Sequence, residues 1–253
     1  MRIAVAGGTG VVGRYVVEAI NGAGHDAVVL SRSRGVDLRA DAGVAQALEG
    51  VEAIIDATNS AKMNRAKSTT FFTDVTARLQ SIGSAQGATR LVTLSVIGID
   101  RVANGYYQSK LAQEEAAKAG PLPVTIVRAT QFHEFAAQVL GRARLGPVAA
   151  VPRMQIQPVA ARSVGRYLMG AALQPPSEQM IEVAGPRTED LVDLARQIVA
   201  QRGRRIRVLP LLVPGAAGRA MRGGQLLATP TTTLVGPRFS DWLVGDDAGS
   251  PEF

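Results

Sequence analysis

An apolar run, Ile3-Ala4-Val5-Ala6, breaks into glycine at residue 7 and resumes as an apolar, helix-compatible segment through Ile20, with the intervening glycines spaced Gly7-x-x-Gly10-x-x-Gly13. This order constrains the chain more than any other feature. A buried strand that ends in a turn without side chains lets backbone N–H groups approach a pyrophosphate. A helix beginning near Val11 then aims the positive end of its dipole at the phosphates. Gly-rich turns are common in α/β proteins, so the motif is informative only because strand, glycines and helix follow in the required sequence.

With 253 residues, 46% hydrophobic and 19% charged, the chain can bury one large core, and two full domains are not expected. There is no cysteine, and His25 and His133 are the only histidines, so thiolate chemistry is excluded and no metal site is expected. No apolar stretch approaches the ~20 residues of a membrane span, and no signal peptide is expected, which points to a cytoplasmic protein without a membrane partner. The net charge of +7 raises the possibility of nucleic acid as a partner. Against it, the arginines are dispersed, and the densest cluster, Arg202, Arg204, Arg205 and Arg207, has no interleaved aromatics, so nucleic acid is not expected. The final GSPEF, residues 249–253, reads as vector-derived.

Apolar runs alternate with helical segments: strand 2–6, helix 11–23, strand 26–31, a short strand near 36–38, helix 41–49, strand 51–57, helix 65–86, strand 90–95, helix 106–119 and strand 123–128. This βαβ rhythm predicts an α/β fold with a Rossmann-like, doubly wound parallel sheet of about seven strands. Continuous runs such as VEAIIDA at 51–57 suit strands covered on both faces. After Arg128 the rhythm loosens into helices near 162–173 and 188–201, a strand-like piece at 179–183 and a Gly/Pro-punctuated stretch from 210 to 238. The expected organisation is one domain, 1–248, in which a core at 1–130 is completed by a small substrate lobe at 131–248.

Strand two ends in Leu30-Ser31-Arg32-Ser33-Arg34, where such a fold meets the adenosine ribose. An acid there would bond a 2′-hydroxyl and repel a 2′-phosphate. Arg32, with Ser31 beside it, suits the phosphate, so NADP(H) is favoured over NAD(H). Arg34 is either a second phosphate contact or a solvated charge. Asp37-Leu38 either brackets the adenine or leads into the next helix. Ala57-Thr58-Asn59 either passes under the nicotinamide-side ribose or simply ends its strand. Further on, LVTLSVIGIDRVANGYYQSK at 91–110 supplies Ser95 at a strand end, then Tyr106 and Lys110 on one helix face. There an ammonium would lower the phenol pKa and assist proton transfer. Ser95 would hold a carbonyl oxygen, and Lys110 would also bond the cofactor ribose. Tyr107 is the alternative phenol.

GGTGVVG, LSR, S-x-x-G at 95–98, YYQSK, TIVRATQFHEF at 125–135 and the Trp242-Leu243 pair together resemble the short-chain dehydrogenase/reductase superfamily, in its atypical NmrA-like, NAD(P)H-binding branch. The resemblance implies cofactor contacts from Gly7, Thr9, Gly10, Val11, Val12, Ser31, Arg32, Asp37, Leu38, Ala57, Asn59, Ala129 and Thr130. It also implies a substrate pocket lined by Phe132, His133 and Phe135; for His133 the other reading is a partly exposed loop residue. Two departures stand out: Ala57-Thr58-Asn59 replaces the usual asparagine-alanine-glycine, and Ser95 precedes Tyr106 by slightly less than the common spacing. The expected activity is NADPH-dependent reduction of a small carbonyl, quinone or related electrophile by a monomer or homodimer. The alternatives are a non-catalytic NADP(H)-sensing regulator, or an epimerase or isomerase that retains its nucleotide.

Overall fold

The computed structural model describes residues 1–60, 64–102 and 105–245, so the tail at 249–253 lies outside the described residues. In chain order the elements are β1 (Arg2–Ala6), α1 (Gly13–Gly22), β2 (Asp26–Leu30), α2 (Asp41–Ala47), β3 (Ala53–Asp56), α3 (Arg65–Ala85), β4 (Leu91–Val96), α4 (Gly105–Lys118) and β5 (Val124–Ala129). They continue as α5 (His133–Ala143), β6 (Arg144–Leu145), β7 (Val148–Pro152), β8 (Gln155–Ile156), α6 (Ala161–Leu173), β9 (Gln179–Ala184), β10 (Glu189–Asp190), α7 (Leu191–Gln201), β11 (Arg207–Leu211), α8 (Gly215–Arg222), β12 (Thr233–Leu234) and α9 (Phe239–Val244). Seven strands form a parallel sheet in the order β12-β9-β5-β4-β3-β1-β2, the Rossmann-like architecture expected from the βαβ rhythm. β1 lies between β2 and β3, with Ala6 opposite both Leu30 and Asp56, so three strand ends converge beside the glycine turn. No helix among the described residues is long and apolar enough to cross a membrane.

The chain divides into two compact units, Met1–Arg128 with Val164–Ile181, and Ala129–Ser163 with Glu182–Phe253. In the first, Ile3, Ala4, Val5 and Ala6 and the β3 residues Ala53, Ile54, Ile55 and Asp56 are fully buried, as strands sandwiched between helix layers must be. Phe72, Val75 and Leu79 fall at helical spacing on the buried side of α3. The apolar core continues through Leu30, Leu38, Val44, Leu48, Ile54 and Leu91. The second unit contains a three-stranded sheet, β11-β7-β6, and a short antiparallel pair, β10-β8. Neither was expected from the sequence, and nor was α5.

The strand expected near 36–38 does not form. Gly35 adopts φ +82°, the Val36 N–H returns to the Ser31 carbonyl at 3.0 Å, and the Asp37 carboxylate accepts from the Arg39 N–H at 3.1 Å. Those local bonds turn the chain toward α2 and leave β2 as the sheet edge. The first helix begins at Gly13 rather than near Val11, because residues 9–12 are taken up by the turn.

A buried glutamine ties α3 to the α4–β5 connection. Gln80 Nε2 donates to the carbonyls of Ala117 (2.5 Å) and Leu122 (3.2 Å), and the Leu122 N–H donates to Gln80 Oε1 at 2.7 Å. Replacing Gln80 with Leu leaves those backbone groups buried without partners, at ~1–3 kcal/mol for each unsatisfied group. A loss of about 3 kcal/mol or more is therefore expected in urea unfolding. Unchanged stability would show that water takes over the three bonds.

Candidate active site

The glycine turn is built by backbone contact. Gly7 has φ +75°, and a Cβ there would lie 2.8 Å from the Ala57 carbonyl oxygen; a Cβ on Gly13 would lie 2.1 Å from the Gly7 oxygen. Both positions therefore exclude a side chain, the first by conformation as well as by space. The Gly7 N–H bonds Leu30 O, the Gly8 N–H bonds Val5 O and the Gly10 N–H bonds Gly7 O. Among the described residues no intrachain acceptor takes the N–H groups of Thr9, Val11, Val12 and Gly13. A side-chain-free cradle with free N–H groups at the start of a ten-residue helix fits a pyrophosphate. Thr9, Gly10 and Val11 are exposed, whereas Val12 is buried.

At the end of β2, Arg32 and Arg34 are exposed, and Ser31 Oγ meets Ser33 Oγ at 3.1 Å. Asp37 is gripped by the Arg39 guanidinium through two bonds of 3.1 and 3.0 Å, which hold its carboxyl below the usual range. Leu38, expected beside an adenine, is only 8% exposed and packs into the core with Val44 and Leu48. It has little surface left for a ligand.

At the end of β3, Ala57 lies against Gly7, Thr58 is buried and Asn59 is exposed. The Tyr106 hydroxyl at the start of α4 donates to Asn59 Oδ1 at 3.2 Å. The phenol thus reaches the strand end that abuts the cradle. Its ring meets Phe72 and Tyr107 edge-on or tilted, with centroids 6.4 and 5.7 Å away.

The electrostatics differ from those expected of a Tyr-x-x-x-Lys pair. Burial pushes Tyr106 up to about 12, with Tyr107 adding to the rise, and burial alone takes Tyr107 to about 12. Burial also lowers Lys110 to about 8, against the opposing pull of Asp56 and Glu114. Lys110 does not depress the phenol, because its ammonium faces inward. It donates to Leu94 O at 2.7 Å and to Gln113 Oε1 at 2.5 Å, and lies 4.8 Å from the centre of the Phe72 ring. Ser95 is likewise turned away from the expected oxyanion role. It is 2% exposed, and its hydroxyl donates to Glu114 Oε1 at 2.5 Å.

Glu114, Arg128 and Asp56 went unnoticed in the sequence. Glu114 accepts two bonds from Arg128, at 2.9 and 2.7 Å, as well as the one from Ser95. Asp56 is fully buried and accepts from Thr58 N–H, Thr58 Oγ1, Thr76 Oγ1 and Gln113 Nε2. The available signal was a charge inside an apolar strand, Asp56 in AIIDA and Arg128 in VTIVRA, because an internal strand tolerates a charge only when partners await it.

Ala129, Thr130, Phe132, His133 and Phe135 belong to the second unit. Thr130 Oγ1 donates to Gln157 O at 2.6 Å, and Phe132 and Phe135 are partly exposed. His133 is neither a loop residue nor a pocket wall. It is 0% exposed, begins α5, and packs against Phe239 and Trp242 with centroids 5.3 and 5.1 Å away. Burial lowers its pKa to about 4, so it stays neutral near pH 7 and serves the core.

A doubly wound parallel sheet with a side-chain-free glycine turn where its first strand ends defines a Rossmann-like α/β protein. The profile of the NAD dependent epimerase/dehydratase family matches residues 3–129, half of the chain, and the chain belongs to that family. No curated protein sequence matches it. Among solved structures, it is similar to UDP-N-acetylglucosamine 4-epimerase from Bacillus cereus, with 17% identity, 95% of this chain and 93% of that one covered, and a TM-score of 0.70. It is also similar to triphenylmethane reductase from Citrobacter sp., complexed with NADP(H), with 14% identity, 93% and 97% coverage and a TM-score of 0.68. A third likeness is to a short-chain dehydrogenase/reductase superfamily protein from Agrobacterium tumefaciens with bound NAD, with 18% identity, 90% and 93% coverage and a TM-score of 0.67. At such identities these likenesses establish the fold.

Gly13→Ala places a methyl group against the Gly7 carbonyl. It should lower stability by about 2 kcal/mol or more and remove the fluorescence change on titration with NADPH. Retained stability with wild-type nucleotide affinity would show that the turn can shift to admit a side chain.

Proposed function

We propose that the protein is an NADPH-dependent oxidoreductase that reduces a small carbonyl, quinone or related electrophile. One observation carries this reading: the Tyr106 hydroxyl bonds Asn59, two residues beyond the Ala57 carbonyl that touches Gly7. A phenolic hydroxyl and a nucleotide cradle distant in sequence thereby meet at one strand end. The glycine turn binds the pyrophosphate, and Arg32, with Ser31 beside it, takes the 2′-phosphate. A reduced nicotinamide, when bound there, supplies the hydride. Tyr106 gives its hydroxyl proton to the substrate oxygen and recovers a proton from solvent. Asn59 holds the phenol in place between turnovers.

The family of this chain and the reductases and epimerases that share its fold support nucleotide-dependent chemistry. The preference for NADPH rests on exposed Arg32 and on the lack of an acid at the end of β2. A second reading, a non-catalytic NADP(H)-sensing regulator, is favoured by the commitment of Ser95 to Glu114 and of Lys110 to Leu94 and Gln113.

Tyr106→Phe separates the two readings. Under the first, NADPH oxidation against a panel of quinones and aldehydes falls by 10²-fold or more, roughly the contribution of one acid, while NADPH affinity stays within about threefold. A wild-type protein that binds NADPH but turns over none of the panel favours the regulator. Arg32→Ala should weaken NADPH binding by roughly tenfold or more, from the ~1.5–3 kcal/mol of a charge-assisted contact, and leave NADH binding unchanged. Equal losses for both nucleotides would remove the specificity argument.

A further inference from the structure

Between β3, β4, α3 and α4 lies a buried polar layer that the proton transfer proposed above does not use directly. Its centre is Asp56, on which four donors converge: Thr58 N–H at 3.0 Å, Thr58 Oγ1 at 2.6 Å, Thr76 Oγ1 at 3.1 Å and Gln113 Nε2 at 2.7 Å. The other end of the Gln113 amide accepts from Lys110 Nζ. This amide has one permissible orientation. A carboxylate only accepts and an ammonium only donates, so a flipped amide would oppose like partners at both ends. Gln113 and Lys110 are 0% and 3% exposed, which leaves little room for water to substitute.

The same carboxylate therefore reaches the candidate site by two routes. Through Thr58 it fixes the turn that presents Asn59 to the Tyr106 hydroxyl. Through Gln113 it holds the Lys110 ammonium on the helix that carries Tyr106. We propose that Asp56 and Gln113 are positioning residues for the proton-transfer site, with Asp56 holding both the Asn59–Tyr106 contact and, by way of the Gln113 amide, the charge of Lys110. This rests on the assignment of Tyr106 as proton donor. Such an arrangement fixes the helix that carries Tyr106 against β3, because buried polar groups that are fully paired resist any shift that would strand one of them.

The groups that face Lys110 are Asp56 from β3, the Leu94 carbonyl from β4, the Phe72 ring from α3, and Gln113 and Glu114 from α4; Glu114 is itself paired with Arg128 of β5. Asp56 and Glu114 favour the charged amine against the burial that opposes it. Loss of the Asp56 charge, or of the Gln113 acceptor, must therefore make Lys110 release its proton at lower pH.

The chain has four lysines, at 62, 67, 110 and 118, so Lys110 can be followed by NMR in protein carrying ¹³C at lysine Cε, with Lys110→Arg for assignment. In the wild type the Lys110 signal should titrate near 8. Asp56→Asn should lower that midpoint by about one pH unit, as removal of a nearby opposite charge does. Gln113→Leu, which removes the side-chain acceptor of Lys110 and a donor to Asp56, should lower it as well. In both variants kcat for quinone reduction should fall, with NADPH affinity within about threefold of wild type. A midpoint that moves in only one variant, or in neither, overturns the proposal. If the wild type reduces no quinone, the oxidoreductase reading fails while the lysine titration still decides whether this network holds the Lys110 charge.

Discussion

Three backbone segments meet at Gly7 with no side chain between them. The carbonyl of Ala57 presses from the end of β3, Gly13 presses from the start of α1, and Gly7 itself turns away from β1 with a positive φ. Each contact is closer than a Cβ would allow, so the junction tolerates only glycine at positions 7 and 13. Much of the first unit takes its placement from this point. Because β1 pairs with β2 on one side and β3 on the other, the junction sets where the Ser31–Arg34 turn and the Ala57–Asn59 turn emerge. The phenol on α4 gains meaning only from its bond to the second of these turns.

A second constraint lies beneath the first. Parallel strands sandwiched between helices should be apolar, yet Asp56, Glu114 and Arg128 are at most 7% exposed. Each is satisfied by directed partners. Arg128 and Glu114 form a two-pronged pair, and Asp56 gathers hydroxyl, backbone and amide donors. Such networks hold their geometry strictly, because removal of one member strands the others in a medium that cannot solvate them. Conformational specificity is the benefit: α4 is locked to β3, β4 and β5 at fixed depth and rotation.

The repeating layers of the first unit could be read from sequence because each strand and helix carries its own local signal. AIIDA at 53–57 and TIVRA at 125–129 are largely apolar strands with one charge each, and α3 and α4 keep helical spacing over several turns. The small sheets of the second unit depend on partners far away in the chain. The β11–β7 pairing joins Arg207 to Val148, and no local pattern announces it. The same distinction holds at the candidate site. Glycine spacing is local and identified the cradle, whereas the inward turn of Ser95 and Lys110 depends on Glu114, Gln113 and Leu94. His133 was misread for that reason too, since Phe239 and Trp242 enclose it from more than a hundred residues away.

A tyrosine, a lysine and a serine on adjoining elements invite the expectation that all three face one substrate. Here the geometry separates them. Tyr106 stands at an accessible edge beside exposed Asn59, while Lys110 and Ser95 point into the buried layer. For Lys110 to reach a ribose it would have to give up Leu94 O and Gln113 Oε1, and so strand two buried acceptors as well as part of the support around Asp56. For Ser95 to donate to an oxyanion it would have to abandon a carboxylate that holds its only proton. The proposed contact by Tyr106 alone, with Ser95 and Lys110 kept in the packed layer behind it, leaves every one of these bonds in place. In this arrangement the lysine serves the packed layer, where Leu94 O and Gln113 Oε1 accept its hydrogen bonds, and the phenol keeps the raised pKa that burial gives it.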